Sequence, residues 1–130
     1  AVPAMRQAGW GRIINVSMNH ETMRRAGFSP YGPSKAALEA ETAIWAQDLD
    51  GSGVTVNALL PGGATLTGMI PEGVDPALKA KLLDPSVMVP PLLWLASEAS
   101  DGVTGRRFNA SLWPTGADEA GAAAAAGQRI

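Results

Sequence analysis

The sequence contains no cysteine and a single histidine, His20. These absences exclude a disulfide framework, a cysteine-based zinc site, a thiol nucleophile, and a metal site built from several histidines of one chain. We therefore predict no metal ligands. A chain without cysteine is expected to reside in a reducing compartment, so a cytoplasmic location is the default expectation.

The sequence also lacks an excess of positive charge and a long apolar run. Twelve acidic residues against ten basic ones give a net charge of −2. The basic residues are scattered, and their closest pairs are Arg24-Arg25 and Arg106-Arg107. A nucleic-acid-binding surface needs clustered basic residues, and a membrane-spanning helix needs about 20 consecutive apolar ones. We therefore expect neither nucleic acid nor a membrane as a partner.

The two ends of the chain differ in character. Val2 to Arg6 suggests the end of a helix, and a start without methionine fits either removal of that residue or a chain that begins inside a longer protein. Residues 117–127 are mostly alanine and glycine with no apolar face, although a marginal helix is conceivable there. The sequence predicts a folded unit over residues 1–112 and a disordered tail over residues 113–130.

The middle of the chain has the pattern strand, helix, strand. Arg12–Ser17 and Val54–Leu60 are rich in β-branched or apolar residues, and between them Ser34–Leu49 runs without a helix breaker. This is a βαβ unit with parallel strands. We predict an α/β protein containing part of a doubly wound parallel sheet, with further helices over residues 75–83 and 86–98 and a short strand over residues 105–110.

The predicted helix has an apolar stripe and an acidic side. The stripe at helical spacing consists of Ala37, Ala40, Ile44 and Trp45. The acidic residues are expected to form a solvated face; they are Glu39, Glu41, Asp48 and Asp50. Trp45 on this stripe is expected to be a core or interface anchor.

Ligands of parallel α/β sheets bind in the crevice outside the carboxyl ends of the strands. This rule selects Ser17 at the end of the first strand, Tyr31 before the helix, and Pro61-Gly62 after the second strand. We therefore predict that any chemistry of this protein takes place at that edge.

Tyr31 and Lys35 are four residues apart at the start of the helix, which places them on one helical face. A phenol is a poor base near neutral pH, but a cation within about 4–6 Å favours the phenolate, as does the positive end of the helix dipole. Beside the hydroxyl of Ser17, such a pair can exchange a proton with a carbonyl or alcohol while hydride moves to or from a nicotinamide. The Tyr-x-x-x-Lys spacing is common by chance, so its context decides its meaning.

That context resembles the short-chain dehydrogenase/reductase family. The resemblance extends over residues 1–110 and rests on several motifs in the order and spacing of that family. They are Gly11–Ser17, Tyr31–Leu38, Gly53–Asn57 with Pro61-Gly62, and Leu95–Ser97 with Val103–Gly105. The resemblance implies the C-terminal half of a Rossmann-like domain that acts on a small carbonyl or alcohol and forms homodimers or homotetramers when full length.

The resemblance also implies roles for individual residues. Tyr31 would be the acid/base, Lys35 would bind the cofactor ribose and favour the phenolate, and Ser17 would polarise the substrate oxygen. The residues that bind NAD or NADP would be Tyr31, Lys35, Pro61, Gly62, Ala64 and Thr67. The last four of these would lie along the nicotinamide. Residues 69–83 would form the substrate lid.

Two positions depart from the family pattern. The catalytic hydroxyl is expected at Met18, so Ser17 lies one residue early, and His20 and Thr22 are alternatives nearby. A strand residue displaced by one position points to the opposite face. The threonine expected after Pro61 falls on Leu66, and of its neighbours Thr65 and Thr67 we favour Thr67.

The glycine-rich turn that holds a cofactor pyrophosphate at a helix N-terminus is missing from these residues. The isolated chain is therefore expected to be inactive, with the main cofactor-binding motif outside it. The alternative is a non-catalytic module that pairs through its alanine-rich helix, where Ala36, Ala40 and Ala43 permit close approach. Ser17 with His20 does not suggest a hydrolase, because no nucleophile elbow is present. Neither the substrate nor the choice between NAD and NADP can be predicted from these residues.

Overall fold

A computed structural model describes residues 1–130 of the protein. The helices are α1 (Val2–Ala8), α2 (His20–Met23), α3 (Tyr31–Asp48), α4 (Pro76–Lys79), α5 (Val89–Leu95) and α6 (Glu119–Ala126). The strands are β1 (Gly11–Val16), β2 (Val54–Leu60), β3 (Arg106–Asn109) and β4 (Gly127–Arg129). Short 3₁₀ turns occupy Pro85–Met88, Glu98–Ser100 and Ala110–Leu112.

The four strands form one sheet in the order β1-β2-β3-β4. β1 and β2 are parallel, with Gly11 opposite Val54 and Val16 opposite Leu59. β2 and β3 are also parallel, whereas β4 runs antiparallel to β3. The α/β class and the predicted βαβ unit of β1, α3 and β2 are therefore confirmed.

Helices cover both faces of the sheet, which explains why every residue of β2 is buried. Side chains alternate along a strand. On one face, Val54 and Val56 pack with Ala46 of α3. On the other face, Leu59 packs in a cluster with Trp94 and with the remaining members Leu95, Phe108, Ala110 and Ala126. β2 has the bounds that the sequence predicted, because a strand buried on both faces appears as a continuous apolar run.

The face that α3 buries is not its apolar stripe. Ile44 and Trp45 are 55% and 36% exposed, so the predicted apolar stripe faces away from the sheet. The residues that α3 buries are Gly32, Glu39, Thr42 and Ala46. Small and polar side chains suit this face because β1 presents Asn15 to it, and the Asn15 amide donates a hydrogen bond to Oγ1 of Thr42 over 2.9 Å.

The segment predicted as a disordered tail is ordered and belongs to the sheet. The Asp118 side chain accepts a hydrogen bond from the Gly121 N–H and caps α6. Ala122 and Ala126, one helical turn apart, are buried, and β4 then pairs with β3. The division at residue 112 was therefore wrong. The sequence pattern missed α6 because a run of alanines shows no alternation of apolar and polar residues. The small alanine side chains nevertheless allow α6 to pack close to the core.

The remaining helices are shorter than predicted. α4 covers four residues of the predicted helix over 75–83. The predicted helix over 86–98 is divided into a 3₁₀ turn at Pro85–Met88 and α5. Trp94 of α5 packs edge-on against Phe108, with ring centroids 5.7 Å apart. No helix of the chain combines the length and the apolar character needed to cross a bilayer.

Candidate active site

The carboxyl ends of the three parallel strands meet at one edge of the sheet. After β1, the Ser17 N–H donates to the Leu59 carbonyl, and the Asn19 amide donates to the Gly62 carbonyl over 3.0 Å. After β3, the Ser111 N–H donates to the Pro61 carbonyl over 3.1 Å. The loops that follow β1, β2 and β3 are therefore bound to one another, as the strand topology predicts.

Tyr31 and Lys35 lie together at this edge, on the first turns of α3. Nζ of Lys35 is 5.6 Å from the centroid of the Tyr31 ring. The same Nζ donates a hydrogen bond to the Val16 carbonyl over 2.8 Å, so the ammonium lies beside the end of β1. Tyr31 is 38% exposed, and Lys35 forms no ion pair with any carboxylate of the chain. An accessible phenol is thus held beside an uncompensated positive charge.

Ser17 points into the protein interior instead of toward solvent. Its side chain is 3% exposed, and its hydroxyl donates a 2.5 Å hydrogen bond to Oε1 of Glu39. Asn15, two residues earlier, faces α3 in the same way. Because the hydroxyl is buried and already bound to a carboxylate, it is poorly placed to polarise a substrate oxygen beside the exposed phenol. The one-residue displacement from the family pattern explains this orientation, since Met18 occupies the expected position.

Glu39 is buried, and its predicted place on a solvated face was wrong. Oε1 accepts hydrogen bonds from Ser17 and from Nε of Arg107, the latter over 3.2 Å. Oε2 lies 2.7 Å from Nε2 of His20. A second Arg107 nitrogen donates to the Met18 carbonyl over 3.0 Å. The Glu39 carboxylate on α3 thereby links three other elements, which are the end of β1, the start of α2, and strand β3.

Sequence reasoning missed this cluster because each member has an ordinary interpretation by itself. Glu39 was grouped with three acidic neighbours, and Arg107 looked like one half of a scattered basic pair. A usable signal was the helical spacing of Lys35, Glu39 and Thr42, which places all three on one face. A polar stripe that continues from the first turn of a helix into its middle indicates a polar contact with the sheet.

The alternatives to Ser17 are also placed by the structure. The His20 ring is half-exposed, and its Nε2 is occupied by Glu39. Thr22 lies half-buried within α2. Neither side chain is shown in contact with Tyr31.

The loop after β2 turns sharply at Gly62, which has φ of +92°. A Cβ atom there would lie 2.0 Å from Oδ1 of Asn109 and 2.2 Å from Oγ of Ser111. Only glycine fits this close approach of backbone to side chain. The Gly62 position is thus fixed by the end of β3 on one side and by Asn19 on the other.

The residues predicted to follow the nicotinamide continue from this turn. Ala64 and Leu66 exchange backbone hydrogen bonds with Leu83, which attaches this stretch to the end of the predicted lid. Oγ1 of Thr65 donates to the Gly63 carbonyl over 3.1 Å, whereas Thr67 is exposed and its Oγ1 accepts from the Met69 N–H over 3.3 Å. Of the two threonines beside Leu66, Thr67 is the more accessible.

The charged groups of the chain do not assemble into a metal centre. No group of three or more histidine, aspartate or glutamate side chains is arranged to hold a metal ion.

Comparison with known proteins gives related sequences and folds. A family model described as short chain dehydrogenase matches residues 1–75. The nodulation protein G of Azospirillum brasilense is 35% identical over 114 residues, which cover 82% of this chain and 46% of that protein. An NADPH-dependent aldehyde reductase-like protein of Arabidopsis thaliana is 32% identical, covering 82% of this chain and 42% of that one.

A solved structure has a similar fold over most of the chain. The gluconate 5-dehydrogenase of Burkholderia cenocepacia, crystallised with NADP and tartrate, superposes with a TM-score of 0.73 at 25% identity. The match covers 83% of this chain and 46% of that protein. The chain thus spans less than half the length of the relatives that it matches.

Proposed function

Because the chain belongs to the short-chain dehydrogenase/reductase family, we propose that it is the catalytic part of an NAD(P)-dependent oxidoreductase that interconverts a carbonyl and an alcohol. The observation that carries this proposal is the pairing of the accessible phenol of Tyr31 with the uncompensated ammonium of Lys35, 5.6 Å from its ring. Carbonyl and alcohol chemistry agrees with the relatives, which include an NADPH-dependent aldehyde reductase-like protein and a gluconate 5-dehydrogenase.

In this proposal, Tyr31 moves the proton. Its Oη donates a proton to the substrate oxygen during reduction and accepts one during oxidation. The Lys35 ammonium stabilises the phenolate that reduction leaves behind, because opposite charges attract strongly where water is partly excluded. The bound nicotinamide supplies or accepts the hydride. Since Ser17 is occupied by Glu39, the Tyr31 hydroxyl is the polarising hydrogen-bond donor that the geometry supports.

The residues at the carboxyl-end edge of the sheet suit the nicotinamide and ribose part of a dinucleotide. Lys35 has hydrogens left for ribose hydroxyls after donating to Val16, and the loop from Pro61 through Thr67 can lie along the nicotinamide with Gly62 and Ala64. Nothing in these 130 residues offers the glycine-rich turn that holds a pyrophosphate. We therefore propose that a complete NAD(P) site needs chain beyond these residues, and that the isolated chain is inactive.

The test compares Tyr31→Phe with the parent in the longest natural polypeptide that carries these residues. A panel of aldehydes, ketones and alcohols is offered, and oxidation or reduction of the nicotinamide is followed by absorbance. We expect turnover by the parent and loss of about 10²-fold or more in the variant, with cofactor affinity unchanged. Turnover that survives in Tyr31→Phe would refute the acid/base role.

We also propose that α3 pairs with its counterpart in a second copy of the chain. Ile44 and Trp45 give this helix an exposed apolar surface, and Ala40 beside them allows close approach. This pairing does not require catalysis, so it would also serve the alternative function of a non-catalytic module. Light scattering of Trp45→Glu should show a smaller assembly than the parent, whereas an unchanged mass would exclude this surface.

A further inference from the structure

Glu39 lies on the same face of α3 as the two proposed reactive residues. Lys35 is one helical turn before it and Tyr31 two turns before it, at rises of about 6 Å and 12 Å along the axis. Glu39 is 5% exposed. Its carboxylate is directed at the end of the sheet.

The side chains of α3 hold two consecutive residues of β1 and its extension. Lys35 donates to the backbone carbonyl of Val16, and Glu39 accepts from the hydroxyl of Ser17. Two attachments one helical turn apart fix both the rotation of α3 about its axis and its position along that axis.

Arg107 makes the second attachment rigid. It donates to Glu39 through Nε and to the Met18 carbonyl through another guanidinium nitrogen. Both partners of the ion pair are less than a tenth exposed, so water does not compete for these contacts. β3 is thereby joined to the same end of β1 that Lys35 binds.

We propose that Glu39 is a positioning residue, which sets the placement of Tyr31 and Lys35 through its bonds to Ser17 and Arg107. The inference rests on the proposed function for the chemical roles of Tyr31 and Lys35, but the placement can be measured without a substrate. Small displacements at a reacting centre lower turnover by as much as about 10²-fold. A buried carboxylate far from the phenol can therefore control its reactivity.

The composition of the chain provides spectroscopic probes for this placement. Tyr31 is the only tyrosine, so an isotope-labelled tyrosine ring gives NMR signals from one site. Lys35 is partly buried, whereas Lys79 and Lys81 are exposed, so a slowly exchanging ammonium would belong to Lys35. Both probes report on the 130-residue chain itself.

The test compares Glu39→Gln with Glu41→Gln. Glu41 lies on the same helix, is exposed, and loses the same charge. We expect Glu39→Gln to shift the Tyr31 ring signals and to accelerate exchange of the Lys35 ammonium, with Glu41→Gln matching the parent. A third variant, Leu49→Ala, lowers stability at the other end of α3 and should leave the Tyr31 signals in place.

Unchanged Tyr31 and Lys35 signals in folded Glu39→Gln would overturn the proposal and leave Glu39 a stabilising residue only. The same holds if Leu49→Ala moves these signals as far as Glu39→Gln does. If Glu39→Gln does not fold, Ser17→Ala is used in its place. This variant removes the hydrogen bond from Ser17 to Glu39 and keeps the Glu39–Arg107 ion pair. Shifted Tyr31 and Lys35 signals in Ser17→Ala would support the proposal, and unchanged signals would overturn it.

The longest natural polypeptide that carries these residues adds a kinetic readout. There we expect Glu39→Gln to lower kcat by about 10-fold to 100-fold with KM little changed. A rise in KM at constant kcat would contradict positioning of the phenol. If Tyr31→Phe retains turnover while the NMR signals still move in Glu39→Gln, the acid/base role fails and the positioning of Tyr31 stands.

Discussion

Removing one partner of the buried Glu39–Arg107 pair should destabilise the fold strongly. At 3.2 Å, with an effective dielectric constant of about 20, the attraction between the two charges is about 5 kcal/mol. Arg107→Met removes that attraction and leaves a carboxylate in a site that is closed to water. We expect the free energy of unfolding to fall by about 3–5 kcal/mol, the range for a broken buried pair.

The double variant Glu39→Leu/Arg107→Met separates the ion pair from its surroundings. With both charges gone, no buried charge is left uncompensated, and much of the loss should be recovered. The Ser17 hydroxyl still loses its acceptor, which leaves a deficit of about 1–3 kcal/mol. We therefore expect a coupling energy of several kcal/mol between the two positions.

Urea unfolding followed by tryptophan fluorescence measures all members of this double-mutant cycle. The matched control is Glu41→Gln, which removes the charge of an exposed carboxylate on the same helix that forms no ion pair. That change should cost less than about 1 kcal/mol. Additive losses at positions 39 and 107, or single losses as small as that of the control, would refute the assignment of a buried and coupled pair.

Three further changes test other parts of the fold. Gly32→Ala places a Cβ 2.0 Å from the Met23 carbonyl oxygen, so we expect a loss of about 1–3 kcal/mol in urea unfolding; a loss near zero would contradict this contact between α2 and α3. The pKa of Asp84 lies below its ordinary value of 3.8 because the Ser86 side chain and backbone N–H bind the carboxylate. The ionised carboxylate therefore stabilises the fold above pH 3.8, and this contribution is lost as the pH falls through the lowered pKa. Asp84→Asn should melt at a lower temperature than the parent at neutral pH and at the same temperature in acid. A difference in melting temperature that does not change with pH would exclude this cap. Ala126→Asp should expose the amides of residues 119–129 to hydrogen exchange while β1 and β2 stay protected, and unchanged protection would show that Ala126 is not buried.

The sequence pattern predicted the elements of the fold better than their orientation. β2 has its predicted bounds, and α3 begins three residues before its predicted start because Tyr31 and Gly32 join the first turn. The apolar stripe containing Ile44 nevertheless faces outward. Periodicity shows which residues share a helical face, but it does not tell whether that face meets the sheet or another surface.

The site was predictable where it depends on strand topology and unpredictable where it depends on side-chain partners. Tyr31, Lys35 and the Pro61 turn meet at one edge because the strands are parallel. The inward orientation of Ser17 follows from strand alternation, but its partner Glu39 and the ion pair of Glu39 with Arg107 join residues that are far apart in the sequence. The local signal for this contact is the polar stripe of Lys35, Glu39 and Thr42 on α3, and that stripe does not identify the partners.

Three charged side chains lie near this edge of the sheet: Glu39, Arg107 and Lys35. Which of them pair with each other determines which charge remains available for chemistry. Arg107 is neutralised by the buried carboxylate of Glu39 and donates a second hydrogen bond to the Met18 carbonyl. Lys35 binds a neutral carbonyl and keeps its full positive charge beside an exposed phenol. Exchanging these partners would bury an unpaired guanidinium and neutralise the ammonium, at a cost to both stability and chemistry. The pairing of Glu39 with Arg107 therefore does more than stabilise the sheet, because it leaves Lys35 as the cation available at the end of β1.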